Sequence, residues 1–163
     1  MNQSEQEKIN QLKKTLDAAN VNYNILTHDM TVKSAEDGVM KGIGDLKVMA
    51  PTFILSTEAG YLAAIISGET RLSYKKIKKK LGLKNVSLAT PEQVVQTTGA
   101  QVGTVALVNP GLRTIVDSGL KEIQVVYGGC GVARCSLRIN FEDLIRLTQA
   151  QVFDFTELKP SSK

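Results

Sequence analysis

The sequence predicts one α+β domain, in which helices flank a curved mixed β-sheet that forms a partial barrel. Two observations carry this. Short β-type runs outnumber helical ones and several are joined hairpin-fashion, while the helical segments carry their own start or stop residues. Ser4 to Ala19 has Ile9, Leu12, Leu16 and Ala19 at helical spacing, with Ser4 and Glu7 in capping-box register. Asn22 to Thr27 alternates as a strand does. Ser34 to Met40 reads as a short helix ended by Gly42 and Gly44. Thr52–Ser56 and Tyr61–Ile66 are apolar runs around Thr57-Glu58-Ala59-Gly60, a hairpin pattern.

Ser73 to Leu81 shows Tyr74, Ile77 and Leu81 on one side and lysines on most of the rest, with Gly82 as its stop. Thr90-Pro91-Glu92-Gln93 starts a further helix that runs to near Gly99. Strands are expected at Arg113–Val116, Ile123–Tyr127 and Ser136–Ile139. Asn140 then caps a helix through Leu147, and Val152–Phe155 forms a closing strand. Residues 1–158 read as one domain and 159–163 as a disordered tail.

Composition excludes several classes. At 163 residues, with 42% hydrophobic and 22% charged, the chain has enough apolar material for a core and is not of disordered type. No apolar run approaches the ~20 residues of a membrane helix, and the first residues lack a secretory apolar stretch, so the expected location is the cytoplasm, with no membrane partner. The net charge is +4, yet Arg71, Lys75, Lys76, Lys78, Lys79, Lys80 and Lys84 follow one another with no acidic residue between them. Such a patch attracts phosphate backbones, although a solvated helix face with no partner has the same composition. No aromatic residue interleaves with Lys75, Lys76, Lys79 and Lys80 in a way that suits base stacking. Cys130, Cys135 and the lone His28 fall short of the four ligands of a structural zinc site, so no metal and no cofactor is expected.

Three places are candidates for chemistry. His28 is a hydrogen-bonding group at a pocket rim or else a capping histidine. Gly103 to Gly111 offers a binding wall, because glycine allows close backbone approach and exposed N–H groups hold a carbonyl or oxyanion; Gly103, Thr104, Val105 and Asn109 belong to it. Tyr127 to Cys135 is a second glycine-rich loop. In it Gly129 leaves room for a ligand, and Cys130 is either a nucleophile or a small buried thiol lining the pocket.

In this order the segments resemble the YbaK-like family of aminoacyl-tRNA deacylases, related to the editing insertion of bacterial prolyl-tRNA synthetases. The resemblance runs from about Gln11 to Phe155. It rests on the His28 turn followed by Val32–Glu36, the pair Thr52–Leu55 and Ala63–Ile66, Arg71-Leu72-Ser73 with the basic helix, Ser87–Glu92, Gln101–Val105 and Phe141–Leu147. It implies hydrolysis of the ester between a wrong amino acid and its tRNA. The water would be assisted by the substrate's own ribose hydroxyl, in a pocket between the strand after Gln101 and a lysine just before Thr52. Pro51 occupies that lysine's place here, and Lys47, four residues upstream, is the expected substitute if the chain loops back.

The expected function is therefore a free-standing deacylase that removes mischarged amino acids. Lys47 and Gly103 are its catalytic candidates. His28, Thr52, Thr104, Val105, Asn109, Gly129 and Cys130 would bind the substrate, and Arg71, Lys75, Lys76, Lys79 and Lys80 the tRNA. Partners are the tRNA acceptor end and, as a second candidate, a synthetase. A catalytically silent tRNA- or synthetase-binding module of the same fold is the alternative, and a thiol enzyme using Cys130 and Cys135 a third.

Overall fold

A computed structural model describes residues 2–28 and 45–160. The helix expected at Ser34–Met40, its glycine stop and the Val32–Glu36 motif lie outside the described residues. Four helices are described: α1 (Gln3–Ala18), α2 (Tyr74–Leu81), α3 (Pro91–Thr98) and α4 (Phe141–Thr148). The strands are β1 (Tyr23–Thr27), β2 (Thr52–Thr57), β3 (Gly60–Ile65), β4 (Thr70–Leu72) and β5 (Val86–Leu88). They continue with β6 (Thr114–Asp117), β7 (Val125–Gly129), β8 (Cys135–Asn140), β9 (Gln151–Phe153) and β10 (Thr156–Leu158).

Helix α1 starts earlier than Ser4 suggests. Asn2 accepts the Glu5 N–H at 2.8 Å and the Glu5 carboxylate accepts the Asn2 N–H at 3.2 Å, a reciprocal box that lies ahead of the expected Ser4–Glu7 pair. The Ser73 hydroxyl caps α2, which Gly82 ends at φ +67°. Thr90 and Gln93 form the capping box of α3. Asn140 corrects the expectation for α4: it holds the cap position without a side-chain bond. It is still paired with Val125 as the last residue of β8, and the first helical N–H, from Phe141, goes to the Gln124 carbonyl at 2.9 Å.

The main sheet has five strands in the order β5-β2-β3-β6-β9, antiparallel through β5, β2 and β3, then parallel from β3 to β6 and β9. It is mixed, as expected. A three-stranded antiparallel sheet, β1-β8-β7, stands beside it, and β4 with β10 forms a third pair. Single bridges, Met49 to Tyr127 and Ala106 to Gly129, stitch the three-stranded sheet to the segments before β2 and after α3. Among the described residues none of these sheets closes into a barrel. The closing strand expected at Val152–Phe155 breaks after Phe153, because the buried Asp117 carboxylate takes the Phe155 N–H at 3.0 Å and turns the chain into β10. Lys159 stays attached at the start of the expected tail: its N–H donates to Glu69 O at 3.1 Å.

Alternation along β2 and β3 gives the main sheet two apolar faces. Leu55, Leu62 and Ala64 join Ile77 of α2, Ile115, Phe153 and Phe155 on one side. Ile54 and Ala63 join Ala89, Val94 of α3, Ala100 and Val105 on the other. Ile9, Leu12 and Leu16 of α1 close the remaining core against Val126, Leu137 and Leu144.

Candidate active site

On the Ile54 face, between the main sheet and the three-stranded sheet, lies a cavity of about 280 Å³. Its floor is the start of β2, from Met49 through Ile54. One wall is the Gly103–Val105 turn, and the opposite wall is the end of β7 with the start of β8. The turn is closed on itself, since both the N–H and the hydroxyl of Thr104 donate to the Gln101 carbonyl, at 3.0 and 2.8 Å. Gly103 supplies the φ of +89° that the turn needs.

The walls meet at Gly129. A Cβ there would sit 2.1 Å from the Val105 carbonyl oxygen, so only glycine lets β7 run against the turn. The Leu107 N–H fixes this approach with a bond to Gly129 O at 3.1 Å.

Polar groups in the cavity are few. Thr52 is only 9% exposed, lines the floor, and its hydroxyl has no hydrogen-bond partner among the described residues. A buried hydroxyl left unpaired costs about 1–3 kcal/mol, so this atom is an exception that calls for a reason. Ser136, buried on β8, also lines the cavity, and its Oγ lies 3.0 Å from His28 Nε2. Burial holds the half-buried His28 imidazole below its ordinary pKa, which favours the neutral ring. Lys159 is the one charged side chain lining the cavity among the described residues. Exposed Leu88 and Val102 form an apolar rim. No group of three or more metal-ligating side chains gathers anywhere among the described residues.

The fold thus brings Thr52, Gly103, Thr104, Val105 and Gly129 to one cavity, with His28 behind its Ser136 wall. Other candidates lie elsewhere. Lys47 is exposed on a single 3₁₀ turn, Leu46–Val48, whose Lys47 carbonyl accepts the Ser67 hydroxyl at 2.9 Å; it is not a lining residue. The Asn109 amide is spent on Ala106 O at 2.8 Å inside its own turn. Cys130 is packed in the α1 core rather than against the cavity, and burial drives its thiol above the ordinary cysteine pKa, which disfavours the thiolate that attack needs. Cys135 lines the cavity instead.

The basic helix α2 packs through Ile77 on the sheet face opposite the cavity, so its lysines do not border the site. Arg71 is paired with Glu157 at 3.2 Å, and Lys76 with Asp154 at 3.1 Å and with Thr156 O at 2.7 Å. Lys75, Lys79 and Lys80 are exposed.

Ser136 and Lys159 were not legible as site residues. Ser136 reaches His28 only because β1 and β8 pair, with Leu26 opposite Ser136 and the His28 N–H bonded to Arg134 O at 2.7 Å. Lys159 arrives through a relay of backbone bonds. Its N–H holds Glu69, and Gly68 next to it holds Met49 O at 2.7 Å on the cavity floor.

The chain is similar to several known proteins. The chain is 33% identical over 81 residues to a proline–tRNA ligase of Halalkalibacterium halodurans, covering 49% of this chain and 14% of the ligase. It is 25% identical over 120 residues to the proline–tRNA ligase of Thermosipho melanesiensis, covering 72% of this chain and 21% of that one. It therefore spans no more than about a fifth of either enzyme. Among solved structures, a hypothetical protein superposes with a TM-score of 0.84 at 27% identity, over 90% of this chain and 99% of its own. A protein described as a proposed trans-editing enzyme for prolyl tRNA synthetase has the same fold, with a TM-score of 0.83 at 23% identity over 92% and 97% of the two chains. The model of the aminoacyl-tRNA editing domain matches residues 30–147, most of the chain. The chain belongs to the aminoacyl-tRNA editing domain family, the YbaK-like family that its motifs resemble.

Proposed function

We propose that the protein hydrolyses the ester of mischarged aminoacyl-tRNA, acting on the aminoacyl group in the cavity above Thr52. The observation that carries this reading is the buried Thr52 hydroxyl on the floor of a mostly apolar cavity, without a hydrogen-bond partner among the described residues and beside a turn built from backbone. The volume admits a small aminoacyl group and excludes the tRNA body, which would stay outside. In this reading Thr52 hydrogen-bonds the aminoacyl moiety. The N–H groups of Gly103 and Val105 hold the carbonyl oxygen as negative charge develops on it. Proximity supplies much of the remaining rate, since the attacking water and the ester are held together in one enclosed space.

Pro51 brings neither a cation nor an N–H, and exposed Lys47 does not line the cavity. Lys159, by contrast, does. It is the group we assign to the terminal phosphodiester or the ester oxygen, in the part that the family lysine would otherwise play. The exposed lysines of α2, on the far face, would steer the tRNA by long-range attraction rather than touch its acceptor end.

Pro51 also favours a second reading, a module that binds charged tRNA and leaves the ester intact. One experiment separates the two. Purified protein is given separately charged tRNAs, beginning with alanine and cysteine on proline tRNA. Selective release of one mispaired amino acid supports the hydrolase; salt-sensitive binding without release supports the module.

A further inference from the structure

We propose that Ser136 is a catalytic residue that relays a proton from the attacking water to His28, which acts as the base. The inference rests on the hydrolase reading above and assigns its proton path to this chain's own side chains, in place of the ribose-hydroxyl assistance that the family resemblance implies. Ser136 lines the cavity, is 5% exposed, and keeps its Oγ 3.0 Å from His28 Nε2.

The register aims the hydroxyl. Ser136 pairs directly with Gly129 across β7 and β8, and directly paired residues project to the same face. A Cβ on Gly129 would point at the Val105 and Thr104 carbonyls. The Ser136 side chain therefore leaves β8 toward the Gly103–Val105 turn, where the ester carbonyl is held in the hydrolase reading. His28 is anchored behind it by its backbone bond to Arg134 O. Its partly buried, neutral ring suits an acceptor at Nε2 when the ring proton sits on Nδ1.

The step balances without a cofactor. Water oxygen bonds to the ester carbon while one water proton passes to Ser136 Oγ, and the Ser136 hydroxyl proton passes to His28 Nε2. The tetrahedral adduct then breaks its bond to the ribose oxygen, which takes a proton back along the same path. Free amino acid and uncharged tRNA result, and both side chains return to their starting states. No acyl-serine forms, since the hydroxyl oxygen keeps its bonds to carbon unchanged.

The test uses Ser136→Ala and His28→Ala in single-turnover and steady-state deacylation of the substrate that the wild-type protein cleaves. General-base assistance is worth about 10²–10⁴-fold, so each variant should lose roughly 100-fold or more in kcat with KM changed by less than about threefold. Both should melt within a few degrees of wild type. Added imidazole should restore part of the rate to His28→Ala and none to Ser136→Ala, which a merely structural histidine would not do. Full kcat in Ser136→Ala, or a trapped acyl-enzyme in the wild type, overturns the relay and leaves the hydrolase reading standing. A wild-type protein that cleaves no charged tRNA overturns both.

Discussion

The closest approach in the site is between Gly129 and the Val105 carbonyl, and it can be tested with a single methyl group. In Gly129→Ala the new Cβ would lie 2.1 Å from Val105 O, 2.9 Å from Val105 C and 3.2 Å from Thr104 O. Carbon and oxygen sit comfortably at about 3.3 Å or more, so β7 and the Gly103–Val105 turn must separate by about 1 Å. The obstructing atoms are backbone and cannot rotate aside. Overpacking of this kind costs about 1–3 kcal/mol. The Leu107–Gly129 hydrogen bond, at 3.1 Å, is stretched at the same time, adding about 1 kcal/mol. The total, about 2–4 kcal/mol, corresponds to a fall in Tm of roughly 10 °C for a chain of this size. Gly128→Ala is the internal control. There the methyl meets only side-chain atoms of Leu107, the nearest at 2.4 Å, which can change rotamer, so about 1–2 kcal/mol is expected. Thermal melts followed by circular dichroism measure both variants. Gly129→Ala melting within about 2 °C of wild type, or a larger loss in Gly128→Ala, would refute the close-approach argument.

Thr52→Val should raise stability by about 1 kcal/mol, because it removes a buried hydroxyl without a partner among the described residues, while in the hydrolase reading it lowers deacylation at least tenfold; urea melts and the charged-tRNA assay read the two effects separately. Replacing Lys75, Lys79 and Lys80 together by glutamine should weaken tRNA binding and flatten its salt dependence by up to ~0.9 per lost phosphate contact, leaving single-turnover cleavage of bound substrate intact; a filter-binding salt series checks this. The Glu58 carboxylate accepts the Lys84 and Asn85 N–H groups at 2.7 and 3.0 Å, and these bonds hold its pKa below the ordinary value. A depressed carboxylate stabilises the fold above its unfolded pKa and loses that contribution as pH falls through the folded value. Wild type should therefore lose more stability than Glu58→Gln between about pH 5 and pH 3, and equal pH slopes for the two proteins would count against the bonds.

The elements with local signals were legible in the sequence. Thr90-Pro91 and Gly82 mark helix ends because capping is decided within a few residues, and the Thr57–Gly60 hairpin is likewise local. The three-residue strands β4, β5 and β10 are too short to show alternation, and their existence is decided by partners far along the chain. Asn140 shows how a good cap residue is overruled when the strand before it continues to the helix. At the site, Gly103–Val105 and Gly129 were visible as backbone that must come close to something. Cys130 is the small buried thiol of its two readings, but it packs in the α1 core instead of lining the pocket, because a glycine-rich neighbourhood says nothing about which way a side chain points. The lysine-rich helix and the pocket segments are close in sequence, yet alternation along β2 and β3 puts them on opposite faces. Ser136 and His28, 108 residues apart, have no local signature as a pair.

The cavity's walls are drawn from segments scattered along almost the whole chain: Thr52, the 103–105 turn, Gly129 with Ser136, and finally Lys159. Closing such long loops comes late in folding, after the local helices and hairpins. A chain still emerging from the ribosome can form α1 and the β2–β3 hairpin, but it has no second wall until β7 and β8 have been made and docked. The site is thus completed only once β7, β8 and Lys159 have been made, and chains cut short of them present no enclosed cavity.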